Sequence, residues 1–291
     1  MTKKIIWIAS FPKSGNTWTR FLLRSLVTGT RTADLSDGGQ ISGACTSKAM
    51  LAQYMGPEQV PMAADRLIAR AKALIAVCDD FPGQQLLMKT HSAYVQFHGA
   101  PQIPPEATLA AILVVRNPFD VMCSCMNHFG FDAEGAFDFL AQPTTTMGES
   151  STHFPVLCTS WDEFSDSWMS ARDFPVLVQR YEDMKSHPFT CVRSMARAFK
   201  IQVTEDDIID TIVANRFKNL QALEGEQGFG EASMRGERFF FRGEVGYFKE
   251  ILSEQMILKV WERFGPMMKK LGYGLENGDL VVGPIPQPGK N

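Results

Sequence analysis

No apolar run in the sequence approaches the ~20 residues needed to cross a bilayer, so no segment reads as a membrane-spanning helix. Met1-Thr2-Lys3-Lys4 leads directly into a short apolar stretch, without the longer apolar region and small-residue cleavage site of a secretory signal. A cytoplasmic protein with no membrane partner is therefore expected. An excess of one charge is missing too: 29 Lys and Arg stand against 32 Asp and Glu, a net charge of −3. Nucleic acid is then not expected as a bulk partner, and any anion binding has to be local. The six cysteines (Cys45, Cys78, Cys123, Cys125, Cys158, Cys191) are scattered, and the close pair Cys123 and Cys125 has no second pair at zinc spacing. They read as reduced core thiols, and no metal site is expected. Internal repeats and low-complexity tracts are absent as well.

What is present is an ordinary globular composition, 45% hydrophobic and 21% charged over 291 residues, enough to bury a large core. Apolar runs of strand length at 4–9, 85–90, 109–116 and 176–180 alternate with helix-period segments at 15–28, 62–78, 118–128, 160–171, 190–200, 205–215 and 253–271. That rhythm predicts a single α/β domain over residues 1–278, with a central parallel sheet flanked by helices. Residues 279–291, which include Pro284, Pro286 and Pro288, read as an extended or disordered tail. Segments 29–61, 143–155 and 225–238 lack periodicity and read as binding loops or lids, with Gly225, Gly228 and Gly230 marking the most mobile one.

The first strand runs into Phe11-Pro12-Lys13-Ser14-Gly15-Asn16-Thr17-Trp18 and then into an amphipathic helix. A turn of this composition before a helix presents unpaired backbone N–H groups and the positive helix end to an anion, and Lys13 adds a full charge. It differs from the loop of nucleotide triphosphatases, where the lysine follows the last glycine and is itself followed by a magnesium-binding hydroxyl. Here Gly15 is followed by Asn16, and the lysine stands at the entrance of the turn. The phosphate-binding turn is P-loop-like, without the γ-phosphate and metal machinery.

The segment from Phe11 to Trp18 closely resembles the 5′-phosphosulfate loop of the cytosolic-type sulfotransferases, and three further segments match that family's pattern in order. Lys89-Thr90-His91 resembles the segment of the catalytic histidine. Arg116-Asn117-Pro118-Phe119-Asp120-Val121 with Ser124 resembles the 3′-phosphate site, and residues 241–249, around Arg242-Gly243, resemble the late loop that closes on that phosphate. The chain is thereby identified as a bacterial-like member of the family that uses 3′-phosphoadenosine 5′-phosphosulfate (PAPS) and releases the bisphosphate PAP.

The resemblance implies roles. Lys13 would stabilise the leaving phosphate with Ser14, Gly15, Asn16 and Thr17; Lys89 would hold the transferring sulfuryl oxygens; His91 would be the general base, a role that suits a neutral imidazole. Arg116, Ser124, Arg242 and Gly243 would hold the 3′-phosphate, while Trp18, Tyr181 and Phe217 would contact the adenine. The chain departs from the family at three places: Asn16 replaces a threonine, Phe241-Arg242 replaces Arg-Lys, and Tyr247-Phe248 replaces Asp-Trp. The acceptor would be a small molecule bearing a hydroxyl or an amine. The acceptor pocket is expected from segments 29–61, 92–105, 127–158 and 225–241, whose content of Phe129, Phe131, Phe137, Phe139, Met147, Phe154 and Phe229 predicts a hydrophobic or amphiphilic acceptor, and His128 or His153 could line it. Residues 250–254 lack the dimer motif of vertebrate members, which leaves monomer and homodimer both open. A P-loop nucleotide kinase and a non-catalytic nucleotide-binding protein on the same fold are the competing readings.

Overall fold

In the computed structural model, residues 3–31, 33, 35, 44–55, 63–97, 99–144, 146–147, 153–231 and 238–286 are described. In chain order the strands are β1 (Ile5–Ser10), β2 (Leu86–Thr90), β3 (Gln96–Phe97), β4 (Ala100–Pro101), β5 (Thr108–Val115), β6 (Thr146–Met147), β7 (Val156–Leu157), β8 (Val176–Arg180), β9 (Tyr273–Glu276) and β10 (Asp279–Val282). The helices are α1 (Asn16–Thr28), α2 (Lys48–Met55), α3 (Ala63–Asp80), α4 (Pro118–Phe129), α5 (Ala133–Ala141), α6 (Trp161–Met169), α7 (Tyr181–Ser186), α8 (Pro188–Ala198), α9 (Glu205–Ala214), α10 (Phe217–Gln227) and α11 (Glu254–Lys270).

The four apolar runs form one parallel sheet in the order β2-β1-β5-β8. Their continuous hydrophobicity is what a sheet covered on both faces needs. Alternate residues of β1 serve opposite faces, as the two-residue strand period demands. Ile5, Trp7 and Ala9 enter the larger core with Leu74 and Val77 of α3, Trp161, Phe164 and Trp168 of α6, and Phe264 of α11. Ile6 and Ile8 enter a second core with Leu22, Leu23 and Leu26 of α1, Val192 and Met195 of α8, and Ile208 of α9. This is the predicted α/β architecture, and each long strand lies within one residue of its predicted span. No helix among the described residues is long and apolar enough to cross a membrane.

Helices α2, α5, α7 and α10 were not predicted; α2 falls in the segment read as a loop, and α10 runs on to Gln227, past Gly225. The chain from 279 onward, expected as an extended or disordered tail, is extended through Val282 because β10 pairs antiparallel with β9. Asn277 (φ 51°) and Gly278 (φ 81°) both take the left-handed conformations that a two-residue hairpin turn requires. Arg180 fastens this hairpin to the sheet, donating from Nη1 to the carbonyls of Leu271 (2.9 Å) and Gly283 (2.6 Å).

Because all four long strands are parallel, the residues that follow their carboxyl ends share one rim. Strand β1 has β2 on one side and β5 on the other, so the chain leaves it at a topological switch point, where such sheets bind ligands. Lys13, His91, Arg116 and Tyr181 all come from that edge.

Candidate active site

The turn after β1 is held in an unusual backbone conformation. Lys13 (φ 65°) and Gly15 (φ 106°) are both left-handed, and for a non-glycine residue this costs on the order of 1–2 kcal/mol. Gly15 is doubly required: a Cβ there would also lie 2.7 Å from the Tyr181 ring. Asn16 opens α1 and donates from Nδ2 to the Ile8 carbonyl at 2.8 Å, tying the turn back to β1. One of its two amide N–H groups is used in this way, and its Oδ1 has no hydrogen-bond partner among the described residues. The side chains of Lys13 and Ser14 are left over. Both are buried at their polar ends, and neither Lys13 Nζ nor Ser14 Oγ has a hydrogen-bond partner among the described residues. Lys13 Nζ instead lies 3.9 Å from the centroid of Phe239. Burial lowers its pKa to about 8 against the opposing pull of Cys125 and Glu231.

His91, directly after β2, donates from Nδ1 to the Ser10 carbonyl at 2.7 Å. A carbonyl can only accept, so this contact puts the proton on Nδ1 and leaves the lone pair on Nε2. Burial and then the Lys89 ammonium lower its pKa to about 4, so the imidazole is neutral near pH 7. Lys89, two residues earlier, points its Nζ to Glu231 Oε1 at 2.5 Å.

Arg116 ends the β5 run and is 5% exposed. Its guanidinium lies 4.3 Å from the Tyr181 ring centroid and 3.6 Å from Asp120, and its Nη2 donates to the Glu244 carbonyl at 2.6 Å; Nε has no partner among the described residues. Arg116 thus forms an ion pair within the protein, yet a donor remains. Asp120 acts further: its carboxylate accepts from the backbone N–H of Gly246 (2.9 Å) and of Phe248 (3.3 Å), pinning the late loop to α4. In that loop Gly243 (φ 64°) accepts from the Tyr181 hydroxyl at 2.9 Å, and a Cβ on it would lie 2.3 Å from the Phe217 ring. Trp18 packs edge-on against Tyr181 and donates to the Asn215 carbonyl at 2.8 Å. Arg242 is drawn aside to an ion pair with Glu250.

These groups surround one cavity of about 270 Å³. Its walls include Lys13, Gly15, Asn16, Thr17, Trp18, Lys89, His91, Arg116, Ser124, Tyr181, Phe217, Arg242 and Gly243, so every expected site residue except Ser14 lines it. Of the apolar residues expected around an acceptor, Phe129 lines the cavity, whereas Phe131, Phe137, Phe139 and Phe154 pack against the larger core and Phe229 joins Phe21, Leu220 and Phe240. The apolar wall is instead Pro12, Phe129, Phe239, Phe240 and Phe241, with His128 beside them. The lining of His153 was not found; Met147 carries no described side chain.

Two charged residues of the site had not been picked out. Arg20 stands one helical turn after Thr17, a spacing that places both on one face of α1, and its Nη2 donates to Thr17 Oγ1 at 2.9 Å. Glu231 reaches the cavity from a segment with no periodic signal in its sequence.

Comparison with known proteins agrees with this geometry. The family model of the sulfotransferase domain matches residues 3–272. Cytosolic sulfotransferase 8 of Arabidopsis thaliana is 25% identical over 272 residues, covering 88% of this chain and 74% of the relative. Cytosolic sulfotransferase 13 of the same plant is 22% identical over 269 residues, covering 85% and 72%. Among solved structures, retinol dehydratase in complex with androsterone and the inactive cofactor PAP superposes with a TM-score of 0.61 at 15% identity, over 92% of this chain and 82% of its own. A mouse sulfotransferase complexed with PAP gives 0.58 at 16% identity, over 92% and 86%. With a sheet rim that gathers the ordered motifs and a family match spanning nearly all of the chain, the protein belongs to the sulfotransferase family.

Proposed function

We propose that the protein transfers a sulfuryl group from PAPS to the hydroxyl or amine of a small hydrophobic or amphiphilic acceptor, without a metal. One observation carries this reading: Lys13, Lys89 and Arg116 meet in a single cavity with a histidine whose tautomer is fixed as a base. The buried, unpartnered Lys13 Nζ, Ser14 Oγ and Arg116 Nε suit a doubly phosphorylated nucleotide, since buried polar groups otherwise find partners.

When bound, PAPS supplies a sulfuryl group whose S–O bond to the 5′-phosphate breaks as a new bond to the acceptor forms. His91 Nε2 takes the acceptor's proton, an assistance worth roughly 10²–10⁴-fold. The Ser10 carbonyl keeps the ring oriented and carries no proton itself. Lys13 meets the charge that develops on the leaving phosphate oxygen, in a site where burial strengthens that interaction. Lys89 holds the transferring oxygens. Arg116 and Ser124 take the 3′-phosphate, and Trp18, Tyr181 and Phe217 bound the adenine. Phe129, Phe239, Phe240 and His128 form the wall left for the acceptor.

The test has two arms. PAP in a chelator should raise the melting temperature, as a ligand selective for the folded state must, while ATP with magnesium should raise it less. Small alcohols, phenols and amines should then be screened for sulfate uptake from PAPS. Stabilisation by ATP with magnesium alone would favour the kinase reading, and PAP binding with no turnover of any acceptor would favour the non-catalytic one.

A further inference from the structure

Glu231 brings a full negative charge into a cavity whose other charged lining residues are the cations Lys13, Arg20, Lys89, Arg116 and Arg242. Its Oε1 accepts from Lys89 Nζ (2.5 Å) and Arg20 Nη2 (2.9 Å), and its Oε2 accepts from Arg20 Nη2 (2.8 Å) and Thr17 Oγ1 (3.1 Å). Burial alone would raise its pKa, but Arg20 and Lys89 outweigh it and hold the carboxyl at about 2. It is ionised wherever the protein is folded near neutrality. Thr17 belongs to the phosphate turn and Lys89 to the end of β2, so one carboxylate spans the residues assigned above to the 5′-phosphate and to the transferring oxygens.

The contrast with the other lysine is informative. Lys13 Nζ has no hydrogen-bond partner among the described residues, whereas Lys89 Nζ is held by an anion of the protein's own. Phe229, two residues before the carboxylate, is packed with Phe21, Leu220 and Phe240, and the glycines on either side of it leave room for Glu231 to turn. Gly228 (φ 72°) and Gly230 flank Phe229 just before it, and a Cβ at either would meet nothing within 4 Å. An anion arriving at Lys89 and Thr17 would meet the Glu231 carboxylate at contact distance, where like charges repel strongly in a partly buried site.

We propose that Glu231 is an internal competitor of the donor: it occupies Lys89 and Thr17 until the 5′-phosphosulfate end of the nucleotide displaces it. The proposal rests on the donor reading above and adds a chain-borne anion to it. One consequence follows: nucleotide affinity is the difference between two anions' claims on the same groups.

The experiment compares wild type, Glu231→Gln and Glu231→Asp by calorimetric titration with PAP in a chelator, and by melting temperature with and without saturating PAP. If Glu231 leaves on binding, Gln lowers the melting temperature of the PAP-free protein and tightens PAP roughly tenfold, the equivalent of one charge-assisted hydrogen bond. The melting temperature of the PAP complex then stays at the wild-type value, because the lost contact is absent from that state. Asp keeps the charge on a shorter stem and should tighten PAP by a smaller factor, which keeps the test open if Gln folds poorly. Equal destabilisation of both states, with PAP affinity unchanged, would show Glu231 staying in place as a structural counter-ion and would overturn the proposal. If neither wild type nor Gln binds PAP, the donor reading itself fails; PAP binding by wild type with no gain in either variant overturns the role of Glu231 alone.

Discussion

The half of the cavity that comes from strand ends and the half that comes from Glu231 and residues 239–247 are built by different means. Lys13, Lys89, His91, Arg116 and Tyr181 each lie at or just beyond a strand of the parallel sheet, so ladder hydrogen bonds on β1 and β5 from both sides set where they stand. The other half is held by side chains from neighbouring elements. Glu224 of α10 accepts from the N–H groups of Phe239 (2.5 Å) and Phe240 (2.9 Å), Gln221 donates to the Phe240 and Phe241 carbonyls, and Asp120 takes Gly246 and Phe248. A sheet edge is a shared, cooperative support, whereas each clamp is a separate contact. Substitutions of Lys13 and His91 in the first half should therefore act on chemistry while the fold and the nucleotide site persist, whereas those of Arg116 and of the second half should act on nucleotide binding first.

The largest effect expected is at the strand ends. His91→Ala should lower kcat by roughly 10²–10⁴-fold, with PAP affinity within a few-fold of wild type. Lys13→Ala should cost on the order of 10²–10³ in kcat, as for other preorganised groups at a developing charge. Steady-state kinetics beside PAP calorimetry separates the two terms, and a His91→Ala enzyme that turned over normally would remove the base assignment. Gly243→Ala is the corresponding break in the loop half. The substitution puts a Cβ at φ 64° and 2.3 Å from the Phe217 ring, so the loop or the ring has to move. Strain of about 1–3 kcal/mol converts to roughly 10–100-fold weaker PAP binding, with kcat at saturating donor close to wild type. If kcat fell and PAP affinity held, the division between the halves would be wrong.

What the sequence made legible follows the same division. The phosphate turn, His91, Arg116 and Tyr181 could be found because a strand followed by a turn leaves a local pattern, and parallel strands carry such turns to one edge. The long strands were placed to within a residue for the same reason: Ile5 to Ala9 and Ala110 to Val115 are apolar throughout. Helix α10 and Glu231 were missed because their register is set from outside. Gln221 and Glu224 fix the late loop through contacts about 15 to 20 residues away, which no short periodicity encodes. Asn16 shows the limit of residue type as a guide: one of its two amide N–H groups goes to the Ile8 carbonyl, a contact that nothing in the composition of the turn announces. Arg20 was within reach, since its three-residue offset from Thr17 is a helix-face signal.

A pH profile tests Lys13 without substitution. In the free enzyme its pKa is lowered to about 8 by burial, and only the ammonium form attracts the donor's phosphate. As pH rises through 8 the charge is lost, so kcat/KM for PAPS should fall toward tenfold per pH unit. The bound anion raises the lysine pKa, so the alkaline limb of kcat should lie higher. On the acid side His91 stays neutral down to about pH 4, and an acid limb in kcat/KM should therefore lie near or below pH 5. Lys13→Arg, which cannot lose its proton in this range, should flatten the alkaline limb at a reduced rate. An unshifted limb in that variant would assign it to another group.

The smallest effect expected is at Arg242, and its value lies in the comparison with Arg116. Both arginines are assigned to the 3′-phosphate by resemblance, but the structure treats them differently. Arg116 is buried against Tyr181 at the end of a sheet strand, with Nε unpartnered among the described residues. Arg242 is one-third exposed and paired with Glu250, which is itself 64% exposed. An exposed pair of this kind contributes little, so exchanging it for a phosphate contact gains little. Arg242→Ala should then weaken PAP by only about threefold, and Arg116→Ala by roughly 10–100-fold, the cost of removing a buried charged hydrogen-bond partner. Titration with 5′-AMP, which lacks the 3′-phosphate, should show neither loss if both arginines act through that group. Should Arg242→Ala prove the costlier for PAP, the loop half would be the true holder of the 3′-phosphate, and the rim of the sheet would set only the sulfuryl end.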